Sequence, residues 1–383
     1  MNREPMACIM YHSVGAPDPA WRWRHLTVPF ALFEGQLRLL RRLGYRGVSL
    51  EEYHALYRTG RLRRERAAAL TFDDGYLDNW VYAAPLLKRY GFTGTLFVSR
   101  DFVDPGRETR PQWLPGQPVV PVSGFLNRAE LISLDKEGVL DVQSHAVTHT
   151  WYPCGPRIVD FRHPGDSWHW MSWNADPENK WRALQPKSDP GCWGEPVYEH
   201  RKALEGPRYF PDPRLAGELR GQVSRAGVDF FAAPDWRDTL RALADRLQNA
   251  LGSGRMETEE EYLARAEAEL AESAAFLNGL LGKKVRYLCW PGGACSPRLF
   301  ALAARHYAGT TIPSQYRDTP SGEDRHGCFR FRRFGPLHAG ENGNFRYLGP
   351  LVDALYLEEA RTRNPLTRLI RGGLTRFTAW RTA

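Results

Sequence analysis

A chain of 383 residues, 42% of them hydrophobic and 13 of them tryptophan, can bury a sizeable core, which excludes wholesale disorder. Its formal net charge of +8 comes with scattered arginines and no nucleic-acid motif, so the surplus reads as a solvated surface or an affinity for anionic substrate or lipid headgroups, not for nucleic acid. Six cysteines without CxxC spacing read as reduced, packed thiols; Cys154 and Cys192 are the two able to bridge in an exported protein.

Met1-Asn2-Arg3-Glu4-Pro5 leads straight into a strand at 6–11 that ends at His12. No signal peptide is visible and no apolar run approaches membrane-spanning length, so the expected location is the cytoplasm. Trp21-Arg22-Trp23-Arg24-His25 is a polar-aromatic loop, either a rim for a sugar or a packed surface loop. Pro29 opens a helix with Phe30, Phe33, Leu37 and Leu40 on one face and Gly44 as its stop. A strand at 48–50, a short helix to Tyr57 and a basic turn at 61–66 follow. The next strand runs through Ala69-Leu70-Thr71-Phe72 into Asp73-Asp74-Gly75. Asp78 is expected to cap a helix that kinks at Pro85 and stops at Gly91, before a strand at 93–98. Strand, helix and strand within so short a span make a βαβ unit of a parallel sheet.

A loop rich in proline and glycine fills 104–124, and Asn127 begins the helix leading to the strand 138–142 and to Ser144-His145-Ala146-Val147-Thr148-His149. Residues 151–256 change in texture: Trp151, Trp168, Trp170, Trp173, Trp181, Trp193 and Trp236 crowd among prolines, glycines and charges. They form either an aromatic cluster that holds long loops or a lid that stacks on sugar; His163 and His169 are further candidates there. Thr258-Glu259-Glu260-Glu261 is a capping box, and Leu263, Ala266, Leu270, Ala274, Leu277 and Leu281 make one core-facing stripe closed by Gly282. A strand at 285–290, a helix from Ser296-Pro297 and two more strands within 309–335 complete the alternation. Beyond Gly349-Pro350 come a helix and a basic tail, in which Leu366-Thr367-Arg368-Leu369-Ile370-Arg371 either docks on the body or touches a membrane surface.

Two clusters carry the chemistry. Adjacent carboxylates at the end of a buried strand repel, and a bound cation relieves them: one acid ligates it while the other handles protons. Asp73 and Asp74 taken alone would equally suit a helix N-terminus. His145 and His149, four apart after a strand, decide the matter, because Asp, His and His are three ligands with room for water, the pattern of a catalytic rather than a closed structural site.

TFDDG at 71–75, SHAVTH at 144–149 and Tyr287-Leu288-Cys289-Trp290-Pro291-Gly292-Gly293 resemble, in order, the motifs of polysaccharide deacetylases, the NodB-homology group of carbohydrate esterase family 4. Ile9-Met10-Tyr11-His12-Ser13-Val14 is similar to the first strand of its biofilm-polysaccharide branch. The resemblance spans 6–150 and 257–335. It implies an α/β fold, a distorted (β/α) barrel of about seven strands in two parts, 1–150 and 257–350, interrupted by the insertion 151–256 and followed by a C-terminal helix and tail, 351–383.

The resemblance further implies a hydrolase that removes N-acetyl groups from a carbohydrate, a polysaccharide or a lipid-linked sugar of cell-surface biosynthesis. An O-acetyl esterase, a deformylase and a non-catalytic sugar binder are the alternatives. Asp74, His145 and His149 would hold a divalent metal, zinc or else cobalt, nickel or manganese, with Asp73 as the base. His338, in Leu337-His338, or His12 would be the acid, and Thr148 with the backbone near Trp151 would hold the oxyanion. Trp168, Trp170, Trp173, Pro291 and Gly292 would contact the sugar. The family's third motif often carries an arginine that orients the base, whereas CWPGG has none; Arg330, Arg332 and Arg333 are either stand-ins or surface charges. Peripheral contact with a membrane is the other partner expected.

Overall fold

The computed structural model describes residues 8–62, 64–252, 254–316, 318–335, 337–339, 345–347, 349–362 and 364–381. Seven parallel strands are paired in order through its central sheet, β1 (Cys8–Tyr11), β2 (Ala67–Phe72), β3 (Gly94–Val98), β4 (Leu140–Ser144), β5 (Tyr287–Leu288), β6 (Gly309–Thr311) and β7 (Phe329–Phe331), and an eighth, Arg46–Val48, pairs parallel with β2 off that path. Past β7, Phe334 donates to the Cys8 carbonyl at 3.1 Å and accepts from Met10 N at 2.8 Å, so the last strand's continuation meets the first and the sheet curls into a barrel. The expected distorted (β/α) barrel is what forms.

Covered on both faces, the strands read as continuous apolar runs. Every residue of β2 and of β3 is buried. Gly94 is required where it stands, because a Cβ there would lie 2.6 Å from the Leu70 carbonyl oxygen of the neighbouring strand.

Helices α1 (Phe30–Arg42), α2 (Leu50–Arg58), α3 (Ala84–Tyr90) and α4 (Arg128–Lys136) alternate with the strands of the first half. In α1, Phe33, Leu37 and Leu40 are fully buried, each such side chain stabilising by roughly 1.5–3 kcal/mol. Asp78 does not cap a helix. Asn79–Ala83 is a π-helical turn that runs directly into α3, and the wider turn leads the chain up to Pro85 at the start of that helix. The Asp78 carboxylate instead turns inward and accepts a hydrogen bond from Ser13 Oγ. Asn127 caps α4 with a full capping box.

The region 151–256 has its own framework. Trp151–Phe161 and Pro196–Lys202 pair as a bulged antiparallel hairpin, flanked by α5 (His169–Ala175), α6 (Pro213–Ala226) and α7 (Trp236–Leu251). One apolar cluster, with Ile158, Phe161, Leu219, Trp236 and Leu240, joins the hairpin to α6 and α7. A second joins Trp170, Trp173 and Val197 to Trp21, Tyr76, Phe102 and Phe125 on the barrel's rim.

The chain returns in α8 (Glu259–Leu281), capped by the Thr258–Glu261 box and ended by Gly282 at φ 66°. Its Ala266, Leu270, Ala274 and Leu277 are buried as the stripe requires, while Leu263 and Leu281 are partly covered at its edges. α9 (Pro297–His306) follows. Residues 309–335 hold three short strands where two are expected, because Gly322–Glu323 folds back antiparallel on β7. α10 (Pro350–Thr362) and α11 (Pro365–Arg381) end the described chain. All six cysteines are free thiols, Cys154 and Cys192 among them. No helix among the described residues is long and apolar enough to cross a membrane.

Candidate metal centre

The C-terminal ends of β1, β2, β4 and β5 deliver His12, Asp73, Asp74, His145 and Cys289 to one rim. The bend from β2 and the loop after β4 need unusual backbone: Asp74, Ala146 and His149 lie at φ 71°, 58° and 38°. Three side-chain-bearing residues in the left-handed region cost of order 1–3 kcal/mol each, a strain that clusters at functional sites.

His145 Nε2 stands 3.1 Å and His149 Nε2 3.2 Å from Asp74 Oδ1. His145 Nδ1 is 2.8 Å from the Cys289 carbonyl oxygen, which can only accept. That bond places the proton on Nδ1 and turns the Nε2 lone pair toward Asp74. Asp74 Oδ1 is itself buried without a hydrogen-bond donor. Lone pairs facing at such distances repel unless a proton or a cation lies between them. Burial disfavours the Asp74 charge, yet His149 and His145 outweigh it and hold the carboxyl well below its usual range. Burial likewise opposes a charged His149, and Asp74 raises its pKa in return. The donor set fits a divalent metal of zinc type, which would take the place of that bridging proton.

Asp73, His145 and Cys289 are a second group close enough to hold an ion. Asp73 is already occupied, because Arg333 Nη1 and Nη2 donate to its two oxygens at 2.6 and 2.8 Å. Burial also pushes the Cys289 thiol well up. Asp73 is therefore an acid held by Arg333 beside the Asp74, His145 and His149 group. Burial raises its pKa, but the Arg333 guanidinium more than offsets this and leaves it below the usual value. His12 Nε2 approaches Asp73 Oδ2 to 3.9 Å from the open side.

Of the three arginines considered, Arg333 is the one that binds Asp73. Its Nη2 also lies 2.9 Å from Cys289 Sγ, so the motif's cysteine borders the guanidinium supplied from the end of β7. Arg330 instead binds Asp324 and Thr310, and Arg332 binds the carbonyls of Tyr316 and Thr319. The signal in the sequence was the missing arginine; which of three would replace it depended on the barrel's closure.

Two sugar contacts expected from the sequence are corrected. Trp170 and Trp173 are each only 5% exposed, inside the aromatic cluster behind the metal centre, so neither presents a face to a ligand. Trp168 is half-buried and donates its indole N–H to Asp160. Thr148 is also committed elsewhere: its hydroxyl donates to Glu269 at 2.7 Å and its carbonyl accepts from Lys180 Nζ at 3.0 Å. His163 and His169 lie away from Asp74, His169 edge-on to Trp23 and Trp173. His338 falls in the short strand Leu337–Ala339, and its side chain lies outside the described residues.

Pro291 and Gly292 do reach the site. With Thr148, His149, Trp151, Lys202, Leu204 and Glu269 they line a small open cleft. The half-buried Trp151 ring stands 6.4 Å from that of His149, a side-chain placement that its backbone role in the sequence reading did not include.

Residues 61–179 match the family model described as polysaccharide deacetylase. A Bacillus subtilis (strain 168) protein provisionally described as polysaccharide deacetylase YxkH is 33% identical over 90 residues, 24% of this chain and 30% of that protein. The poly-beta-1,6-N-acetyl-D-glucosamine N-deacetylase of Escherichia coli (strain K12) is 25% identical over 143 residues, 37% of this chain and 20% of the relative. The chain thus spans less than a third of the length of the curated relatives it matches. Among solved structures, a de-N-acetylase from Aggregatibacter actinomycetemcomitans superposes with a TM-score of 0.50 at 16% identity, covering 85% of this chain and 93% of that one, a likeness of fold.

Proposed function

We propose that this chain, which belongs to the polysaccharide deacetylase family, is a metal-dependent amide hydrolase that removes N-acetyl groups from a glycan. The observation that carries the reading is a buried acid, Asp73, gripped by Arg333 at 2.6 and 2.8 Å next to an Asp-His-His ligand set. A pure sugar binder needs neither. An amide carbonyl is a poor electrophile, and a divalent cation held by Asp74, His145 and His149 supplies Lewis acidity and lowers the pKa of water to about 7.

The chain's own residues do the rest. Arg333 keeps Asp73 ionised and fixes both its oxygens, so the carboxylate is ready to accept a proton from the attacking water. In this reading His12, whose Nε2 is 3.9 Å from Asp73, or else His338 protonates the departing amine nitrogen, without which the C–N bond does not break. Pro291, Gly292 and Trp151 wall the cleft beside His149 and orient the sugar. An N-acetylated hexosamine polymer is the substrate class favoured by the name of the Escherichia coli relative.

Purified chain loaded with zinc should release acetate from N-acetylglucosamine oligomers. Asp73→Asn keeps the shape of the side chain but cannot take the proton. It should retain the metal while turnover falls by about a hundredfold or more. Undiminished turnover in that variant removes Asp73 from the reaction.

A further inference from the structure

We propose that α11 is a peripheral anchor that lays its outer face on an anionic phospholipid surface. Leu366, Leu369 and Ile370 are 59%, 72% and 47% exposed, and Leu351 at the start of α10 is 51% exposed. The helix is docked the opposite way round from an ordinary surface helix. Arg371 packs inward, its guanidinium 4.0 Å from the centroid of the Tyr356 ring and its Nε 2.6 Å from Glu359 on α10. Thr367 is half-buried on that same side, while the leucines and isoleucine look out.

Charge says what covers them. From Asn364 to the end the sequence has Arg368, Arg371, Arg376 and Arg381 and no acidic residue. Arg368 is 71% exposed at the edge of the helix toward α10, where Glu359 lies 4.0 Å away. An exposed apolar stripe on a segment that is basic and free of acids suits the boundary between acyl chains and anionic headgroups. A second copy fits less well, since a two-fold contact would bring together two segments that each carry four arginines and no acid. The inference is independent of the catalytic reading, because α11 holds none of the site residues.

Co-sedimentation of the full chain with phosphatidylglycerol-containing vesicles tests it, against pure phosphatidylcholine vesicles and at low and high salt. Binding should appear with the anionic vesicles alone and weaken with salt. Leu369→Glu and Leu366→Glu should each reduce the vesicle-bound fraction by about tenfold or more. Both variants should keep the parent melting temperature and the parent acetate release from a soluble substrate, which separates loss of anchoring from loss of fold. Equal binding to both vesicle types, no binding, or unaltered binding by the variants overturns the proposal. So does a concentration-dependent dimer that Leu369→Glu abolishes.

Discussion

Asp73 and Arg333 show how a single pair can set a reaction's acid limit. Removed from water without a partner, a carboxyl is held protonated; with the guanidinium on both oxygens it stays charged below the ordinary carboxylate range. In the proposed reaction Asp73 must be ionised to act, so activity should be lost as pH falls through its pKa. Arg333→Gln leaves the burial and removes the compensation, and the acid limb of kcat/KM should move to higher pH. Turnover at neutral pH should drop by about ten- to a hundredfold. Arg333→Lys, which keeps the charge but not the two-pronged grip, should recover part of the shift. An acid limb in Arg333→Gln that coincides with the parent's would show that the guanidinium does not tune the base. The grouping of Asp74, His145 and His149 was legible because motif spacing is local. Arg333 was not, because its place depends on Phe334 pairing with β1 from the far end of the chain.

At the scale of elements, the loop from His145 to His149 is held from two sides. Lys180, 2% exposed, donates to the Thr148 carbonyl at 3.0 Å and to Asp101 at 3.1 Å, while Glu269 on α8 accepts from the Thr148 hydroxyl. Such a brace has a use: His149 sits at a strained φ of 38° and would relax away from Asp74 if freed. Lys180→Met should weaken zinc affinity by about ten- to a hundredfold, as loss of groups behind a metal ligand does. Competition with a chromogenic chelator reads this without reference to turnover. Unchanged affinity would leave Lys180 a contributor to folding only.

The π turn makes a different prediction. Burial lifts the Asp78 carboxyl from 3.8 to about 7. The folded state then holds a proton that the unfolded chain releases, so stability falls as pH rises from about 4 to about 7 and is level beyond, a difference of about 4 kcal/mol. Asp78→Asn lacks that group. Its melting temperature relative to the parent should therefore climb across this window; a constant gap between the two would refute the buried-acid account. Sequence alone suggested a cap at Asp78, since an acid before a helical run usually is one. The hydroxyl of Ser13, distant in sequence, offered the competing place.

For the whole molecule, the tryptophans of 151–256 divide between building and binding. Their number announced an aromatic region, but which faces stay open depends on how the hairpin of Trp151–Phe161 and Pro196–Lys202 lies on the barrel, and no local pattern encodes that. Trp170 and Trp173 fill the cluster with Phe102 and Tyr76 that backs the metal centre. Trp151, at the hairpin's root, lines the cleft beside His149. Trp170→Ala should accordingly cost about 3–5 kcal/mol of stability, the range for a buried aromatic deletion. Its activity on long and minimal substrates should fall in parallel, if it folds. Trp151→Ala should melt close to the parent. On an N-acetylated oligosaccharide its kcat/KM should fall by about tenfold or more, because stacking on remote rings is lost from the transition state. Turnover of a small aryl acetate, which has no ring to stack there, should change little. Parallel losses on both substrates in Trp151→Ala would make that residue structural too, and the region 151–256 would then serve as a buttress rather than as a wall that selects the sugar.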